Sequence, residues 1–141
     1  MIYLDTSVAV PLLVPEPKTA DVTAWFSGLN ETLVGSDWLL AEFASAVSIK
    51  ECVGELSESH AAMVRRTFES FCAGLRIVQV SRAAFREAAR YAGQQNNGLR
   101  AGDALHLAVA MEIGAASLAT LDGRLADNAR RQALNVEPIC P

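Results

Sequence analysis

Short apolar segments alternate with longer amphipathic segments along the whole of this 141-residue chain. Five short segments have the composition of buried strands, namely 2–4, 32–35, 77–80, 117–120 and 136–138. Between them, apolar residues recur every three or four positions, which is typical of helices. Because strands that alternate with helices favour right-handed βαβ units, we expect helices on both faces of a parallel sheet. The sequence therefore predicts a single three-layer α/β/α domain over 1–141, with a mainly parallel sheet of four to five strands.

The predicted helices begin and end at ordinary boundary signals. Pro15 and Pro17 end the first helix. Ser36 or Asp37 can cap the third, and Gly114 ends the sixth. Seven helices are predicted, at 7–14, 18–29, 38–52, 57–73, 81–95, 101–113 and 124–133.

Composition limits the class of protein. Hydrophobic residues make up 51% of the chain and the mean hydropathy is +0.21, which excludes a disordered chain. The apolar runs are too short for a membrane span, and the N-terminus lacks the basic region of a signal peptide. Three widely spaced cysteines fit neither a zinc cluster nor a disulfide framework. We therefore expect a cytoplasmic protein without membrane association, with reduced and mostly buried thiols.

Four acidic residues stand inside apolar segments, where an unpaired carboxylate is costly. These residues are Asp5, Glu42, Asp103 and Asp122. No Lys or Arg is placed along the sequence so as to neutralise all four. Carboxylates that converge on one cleft repel one another unless cations lie between them. The four acids therefore point to a site for a divalent cation.

The predicted fold gives each acid a defined position. Asp5 and Asp122 come just past the carboxyl ends of strands, where open α/β sheets bind ligands. Glu42 is in line with Leu39, Ala46 and Ile49, so we expect it to face inward with an apolar stripe. Asp103 lies in the first turn of its helix, where the helix dipole favours a carboxylate. Any one of them could be a helix cap or a surface charge, but the four together indicate a site.

Oxygen ligands favour hard ions, so we expect Mg²⁺, with Mn²⁺ as a substitute. Such a site suits hydrolysis of phosphodiester bonds, because a divalent ion activates water and a second ion can stabilise the leaving oxygen. Thr6, Ser7 and Thr120 add hydroxyl groups beside the acids, and these can orient a carboxylate or a water molecule.

The net charge of −4 does not by itself indicate a nucleic-acid binder. If four of the 16 acids hold metal, however, the other 12 balance the 12 basic residues, which are nearly all arginines. Arginine is well suited to bidentate contacts with phosphate. Arg100 and Arg124 are candidate RNA contacts because each lies within a few residues of a candidate acid. A bias toward arginine in the coding sequence explains any single arginine equally well.

The order of these motifs resembles that of the PIN-domain nucleases. That family has an opening strand followed by Asp and Ser or Thr, here Leu4-Asp5-Thr6-Ser7. It has a Glu on a mid-chain helix, here Leu40-Ala41-Glu42-Phe43. A third acid opens a later helix, here Gly102-Asp103-Ala104, and a fourth follows a strand, here Thr120-Leu121-Asp122. The resemblance covers essentially all 141 residues.

The resemblance implies a function as well as a fold. This compact chain looks like the VapC toxins, which are single-domain bacterial members of the family from type II toxin–antitoxin pairs. The resemblance implies a Mg²⁺-dependent endoribonuclease that cleaves RNA, uses the four acids as metal ligands and catalytic residues, and is inhibited by a VapB-like antitoxin. The segment after Asp122 departs from the family's acidic-aromatic continuation, which leaves the role of Asp127 open, and we interpret Asp127 as a helix-surface charge.

The high hydrophobic content also predicts protein partners, because it exceeds what one small core readily hides. We expect a homodimer, with the helices at 18–29 and 38–52 as the docking surface for the antitoxin.

Three other interpretations remain open at this stage. A haloacid-dehalogenase-type phosphatase would use Asp5 as a nucleophile, but it needs a second Asp two residues later, where Ser7 stands. A PIN-like module could bind RNA or protein without turnover. A PIN nuclease could also act outside any toxin–antitoxin pair.

His106 could donate a proton to a leaving group, although a packed or capping histidine is the better interpretation.

Overall fold

A parallel sheet runs through the middle of the computed structural model, which describes residues 1–140. Its five strands are β1 (Ile2–Leu4), β2 (Leu33–Ser36), β3 (Arg76–Val78), β4 (Ser117–Ala119) and β5 (Asn135–Val136). They lie in the order β3-β2-β1-β4-β5, and every neighbouring pair is parallel. β2 and β3 follow β1 on one side of it, and β4 and β5 lie on its other side. The order of strands therefore reverses between β1 and β4, which is where such sheets form ligand sites.

The predicted helices are all present, with bounds that differ by a few residues. They are α1 (Thr6–Leu13), α2 (Thr19–Ser27), α3 (Asp37–Cys52), α4 (Glu58–Ala73), α5 (Arg82–Ala92), α6 (Ala101–Glu112) and α7 (Gly123–Arg131). The largest differences among the strands are at β3 and β5, which end at Val78 and Val136 instead of at residues 80 and 138. Val78 pairs with Ser36, and β2 stops there because Ser36 is the N-cap of α3. The next residues of β3 therefore have no strand to pair with.

The helices cover both faces of the sheet, as the three-layer prediction requires. Successive side chains of a strand point to opposite faces. Ile2 and Leu4 accordingly belong to a core with α1 to α4, whereas Tyr3 belongs to a second core with α5 to α7. Phe43 and Phe68 stack in the first core with ring centroids 3.8 Å apart. All three residues of β1 are buried, which explains why this strand reads as a continuous apolar run.

The face that α3 buries agrees only in part with the predicted one. The buried stripe consists of Leu39, Phe43 and Val47, each four residues after the last. Of the predicted stripe, Leu39 is buried and Ala46 is partly buried against the core, but Ile49 is 59% exposed, so the predicted continuation to Ile49 was wrong. One residue corresponds to about 100° around a helix. Glu42, which precedes Phe43, therefore lies at the rim of the buried face, where its carboxylate can reach solvent.

The cysteines form no disulfide within residues 1–140. Cys72 and Cys140 are partly buried, but Cys52 is exposed, so the expectation of mostly buried thiols is wrong for Cys52. Over the same residues, no helix combines the length and the apolar character that a membrane crossing needs.

Candidate active site

The ends of the two central strands place the first and the last of the four acids side by side. Asp5 follows β1, and Asp122 lies three residues after the end of β4, which is the direct neighbour of β1. The backbone N–H of Asp5 donates to the carbonyl of Ala119 at 3.0 Å, which continues the pairing of the two strands. Asp122 caps α7, because its Oδ1 accepts a hydrogen bond from Leu125 N at 2.9 Å. Helix capping and membership of the site are thus compatible for Asp122.

The Asp5 carboxylate is fixed by two hydroxyl groups. It is only 3% exposed, and its Oδ2 accepts hydrogen bonds from Ser7 Oγ at 2.5 Å and from Thr120 Oγ1 at 2.7 Å. Ser7 Oγ in turn accepts from Leu121 N at 2.9 Å, and Thr120 Oγ1 accepts from Asp122 N at 3.0 Å. Ser7 and Thr120 therefore hold the orientation of Asp5 and tie it to the backbone that leads to Asp122.

The Glu42 carboxylate reaches Asp5 from the opposite side, through Thr6 and His106. Thr6 Oγ1 donates to Glu42 Oε1 at 2.8 Å, and His106 Nε2 is hydrogen-bonded to the same oxygen. The same nitrogen lies 3.3 Å from Asp5 Oδ1. The ligand atoms of Asp5, Glu42 and His106 all lie within 4.8 Å of one another. Three elements distant in sequence thus place two carboxylates and one imidazole around a common point.

His106 is the residue at this centre that sequence reasoning missed. A packed histidine was the preferred interpretation, and the side chain is indeed fully buried, but it is buried against Asp5 and Glu42. The available signal was its position in α6, where every other residue from Ala104 to Ala110 is apolar and buried. A buried polar group needs hydrogen-bond partners. On such a helix those partners had to come from other elements.

A second line of hydrogen bonds supports His106 from behind. Tyr3 Oη lies 2.9 Å from His106 Nδ1 and donates to Ser36 Oγ at 2.9 Å. Burial, together with the charges of Asp5 and Glu42, raises the pKa of Tyr3 above its ordinary value even though the bond to Ser36 opposes this. The phenol therefore stays protonated at neutral pH.

Opposing effects set the charges of Glu42 and His106. Burial raises the pKa of Glu42, but the hydrogen bonds from His106 and Thr6 and the charge of His106 outweigh it, so the net shift is downward. Burial likewise lowers the pKa of His106, but the bond to Glu42 and the charges of Asp5, Glu42 and Asp103 give a net upward shift. The two shifts agree in sense, because each partner stabilises the charged form of the other.

Asp103 is an acid whose charge the protein compensates only in part. Burial, and then the negative charges of Asp122, Asp5 and Glu42, raises its pKa from 3.8 to about 6, although the charge of His106 opposes this shift. No hydrogen bond to its carboxylate is present within residues 1–140 to offset these effects. A divalent cation beside Asp103 would remove the repulsion, so this set of donors fits a divalent metal.

Asp5 is almost fully buried, whereas the other three candidate acids, Glu42, Asp103 and Asp122, line a cleft of about 840 Å³. Its lining includes Trp38, Glu42, Arg100, Asp103, Asp122 and Arg124. Arg124 lies across the Gly98 backbone, and its Nη1 is 3.5 Å from the Gly98 carbonyl. Gly98 has a φ of +61°, which suits glycine, and a side chain there would lie 3.4 Å from Arg124 Cδ. Both candidate RNA-contact arginines, Arg100 and Arg124, thus line the cleft that contains the acids.

Asp127 also lines this cleft, but its carboxylate is turned toward an arginine. Asp127 Oδ1 lies 3.2 Å from Arg130 Nη1, and both side chains are mostly exposed. This is the geometry of a pair on a helix surface, in keeping with the interpretation of Asp127 as a surface charge.

Gly102 and Trp38 form the floor of the cleft. A Cβ atom on Gly102 would lie 3.0 Å from Glu42 Oε2 and 3.1 Å from Trp38 Nε1, so a glycine lets both side chains approach α6. Trp38 Nε1 is buried and has no hydrogen-bond partner among residues 1–140. A buried N–H without a partner costs about 1–3 kcal/mol. A bound water or ligand at this floor would satisfy it.

Comparison with known proteins gives a consistent result over nearly the whole chain. The family model of the PIN domain matches residues 2–131. Ribonuclease VapC45 of Mycobacterium tuberculosis (strain CDC 1551 / Oshkosh) is 30% identical over 140 residues, which cover 98% of this chain and 95% of the relative.

Solved structures with the same fold have lower sequence identity. FitAcB from Neisseria gonorrhoeae is 24% identical, with a TM-score of 0.75 over 96% of both chains. VapC20 of Mycobacterium tuberculosis, a toxin that cleaves the sarcin–ricin loop, is 15% identical with a TM-score of 0.73. That alignment covers 91% of this chain and 95% of VapC20. At these identities the structures establish the α/β fold and its five-stranded sheet.

Proposed function

The chain belongs to the PIN-domain family, and on that premise we propose that it is a Mg²⁺-dependent endoribonuclease, the toxin of a toxin–antitoxin pair. The observation that carries the proposal is the convergence of Asp5, Glu42, Asp103 and Asp122 at the carboxyl edge of the sheet. The raised pKa of Asp103 supports it, because this cluster is not electrostatically balanced by protein groups alone.

The four acids would have different roles at the metal site. A bound divalent cation would supply charge neutralisation and the activation of water for attack on phosphorus, with Mn²⁺ able to substitute for Mg²⁺. Asp5 and Glu42 each have one oxygen engaged by hydroxyl groups of the protein, so their second oxygens are held in fixed directions. Glu42, Asp103 and Asp122 line the open cleft, where the substrate would enter, whereas Asp5 is almost fully buried. Asp5 would therefore hold the ion from within the protein, and the other three acids would face the RNA.

Cleavage of RNA tests this proposal directly. The purified protein, incubated with folded RNA and Mg²⁺ or Mn²⁺, should cut at one or a few sites and should leave the RNA intact in EDTA. If the protein shifts the RNA in a binding assay but yields no product with either ion, the non-catalytic binding module becomes the better interpretation.

The geometry of Asp5 argues against the phosphatase alternative. A nucleophilic aspartate must present an oxygen to the phosphorus atom. Asp5 is almost fully buried, and Ser7 and Thr120 both bond to its Oδ2. Ser7, at the position where that class needs a second acid, thus serves to orient Asp5. No aspartyl-phosphate should form with phosphorylated substrates.

Arg124 lines the cleft, and we propose that it contacts the phosphates of the RNA. Arg124→Ala should weaken RNA binding and reduce the slope of log K against log salt by about 0.7, the effect of losing one phosphate contact on a single strand. Cleavage at saturating RNA should remain close to that of the wild type. Binding measured at several salt concentrations checks this. Arg86→Ala, which removes the same charge from the exposed face of α5, is the matched control, and equal slopes for the two variants would contradict the assignment.

The exposed apolar residues of α2 and α3 suit a protein partner. Phe26 on α2 and Leu40 and Ile49 on α3 are all more than a third exposed. We expect a VapB-like antitoxin to cover these helices and the toxin itself to be a homodimer. Co-expression with a small neighbouring reading frame, followed by light scattering, should give a complex containing both chains. A monomer that purifies without a partner would count against this part of the proposal.

A further inference from the structure

His106 places a nitrogen donor in a site that the acids alone would make all-oxygen. The Nε2 atom of His106 is hydrogen-bonded to Glu42 Oε1 and lies 3.3 Å from Asp5 Oδ1. Asp103 and Asp122 are not part of this group of three, whose ligand atoms lie within 4.8 Å of one another. Glu42 belongs to this group and also lines the cleft with Asp103 and Asp122, so the nitrogen-containing group borders the cleft that the other two acids line.

The hydrogen bonds behind His106 direct its Nε2 lone pair toward the carboxylates. Because the Tyr3 hydroxyl donates its proton to Ser36, its oxygen is an acceptor for a proton on His106 Nδ1. With the ring proton on Nδ1, the lone pair of Nε2 points toward Asp5 and Glu42. Histidines that bind metals through one nitrogen are usually held in this way at the other. The hydrogen bond between Nε2 and Glu42 Oε1 marks this direction in the structure.

From this geometry we propose that His106 is a direct metal ligand through Nε2, alongside Asp5 and Glu42, and that the site consequently binds Mn²⁺ more tightly than Mg²⁺. This rests on the proposed nuclease function and refines its choice of metal. Mg²⁺ prefers oxygen ligands and retains its waters, whereas affinity for imidazole nitrogen rises along the first-row transition metals, of which Mn²⁺ is the first common divalent member. Tyr3 and Ser36 then act as positioning residues, because they set the tautomer of the ligand.

Pulsed electron paramagnetic resonance of the Mn²⁺-loaded protein tests the proposal without any activity measurement. A nitrogen coordinated to Mn²⁺ gives a hyperfine coupling in the electron spin-echo modulation. The coupling should change from the ¹⁴N to the ¹⁵N pattern when the wild-type protein is labelled with ¹⁵N-histidine, and this needs no substitution. The chain has two histidines, His60 and His106. His60 lies on the exposed surface of α4, so His60→Gln is the matched control and should leave the coupling unchanged.

The variants give the second readout. His106→Gln should abolish the nitrogen coupling and weaken Mn²⁺ binding by more than about 100-fold, with a smaller loss for Mg²⁺, because loss of a residue that only supports a metal ligand already costs about 10- to 100-fold. Tyr3→Phe should retain the coupling but weaken Mn²⁺ binding less than His106→Gln does. If Mn²⁺ binds to the wild type without nitrogen coupling, or does not bind at all, the proposal is overturned. Failure of the nuclease function would be seen separately, as intact RNA with both ions.

Discussion

Asp5→Asn should reduce RNA cleavage at saturating metal by more than about 100-fold. Substitution of residues that only support the metal ligands already reduces metal affinity or activity about 10- to 100-fold. The change keeps the size of the side chain but removes its negative charge. The amide can still accept a hydrogen bond from Ser7 or Thr120, so the local fold should persist. Single-turnover cleavage assays with Mg²⁺ and with Mn²⁺ would measure the loss.

The same substitution can be followed in cells. Induced expression of the wild type without an antitoxin should arrest growth, and expression of Asp5→Asn should not. Asp21→Asn, which makes the same chemical change on the exposed surface of α2, controls for the loss of one carboxylate and should arrest growth like the wild type. Equal arrest by wild type and Asp5→Asn would remove catalysis from the explanation and leave an RNA- or protein-binding module.

Local signals were sufficient to predict the architecture and to place Asp5 and Asp122 at one edge of the sheet. Both acids directly follow apolar segments, and the carboxyl ends of parallel strands meet at one edge of the sheet. Local signals did not predict that β1 and β4 are neighbours, which is what brings Asp5 and Asp122 together. Ser7 and Thr120 could be expected nearby for the same reason, but their shared bond to Asp5 Oδ2 depends on the register of β1 against β4.

Contacts between distant helices could not be predicted in this way. The Glu42–His106 pair spans 64 residues and the Tyr3–His106 pair spans 103 residues. Periodicity assigns a residue to a face of its own helix, but it does not say which residue of another helix lies opposite. The hydrophobic pattern of α3 was also misread, because the exposed Ile49 gave a false continuation of the stripe through Glu42. Tyr3 looked like an ordinary core residue of β1, although its hydroxyl is what orients His106.

From the sequence, the four acids could be given only one shared role, as metal ligands. The structure distinguishes them by their hydrogen-bond partners. Asp5 has two hydroxyl donors on one oxygen, Glu42 has Thr6 and His106, and Asp122 accepts from a backbone N–H. Removal of the charge on Asp5 therefore has two opposite effects on stability. It relieves the repulsion between the acids, but it weakens the hydrogen bonds from Ser7 and Thr120. Asp103 offers the cleaner test of electrostatic strain, because repulsion and burial alone raise its pKa.

The metal-free protein should lose stability between about pH 4 and pH 6, and Asp103→Asn should remove that loss. The pKa of Asp103 is raised from 3.8 to about 6 in the folded state. Between these values the folded state therefore binds more protons than the unfolded state, so stability falls as pH rises. The shift corresponds to about 3 kcal/mol without screening, and to about 1–2 kcal/mol for a half-buried side chain. Asp103→Asn should accordingly be the more stable protein at pH 7 in EDTA.

Chemical denaturation of both proteins in EDTA, at intervals from pH 4 to pH 7, would measure this difference. Glu42 and His106 titrate as well, but they do so in both proteins, so the difference between the two curves isolates Asp103 to a first approximation. A difference that stays constant across this range would show that Asp103 is not strained. Mg²⁺ or Mn²⁺ should stabilise the wild type more than Asp103→Asn, because a ligand that binds only the folded state stabilises it by an amount that grows with the logarithm of its affinity. The carboxylate that destabilises the metal-free protein is then the same group that strengthens its hold on the ion.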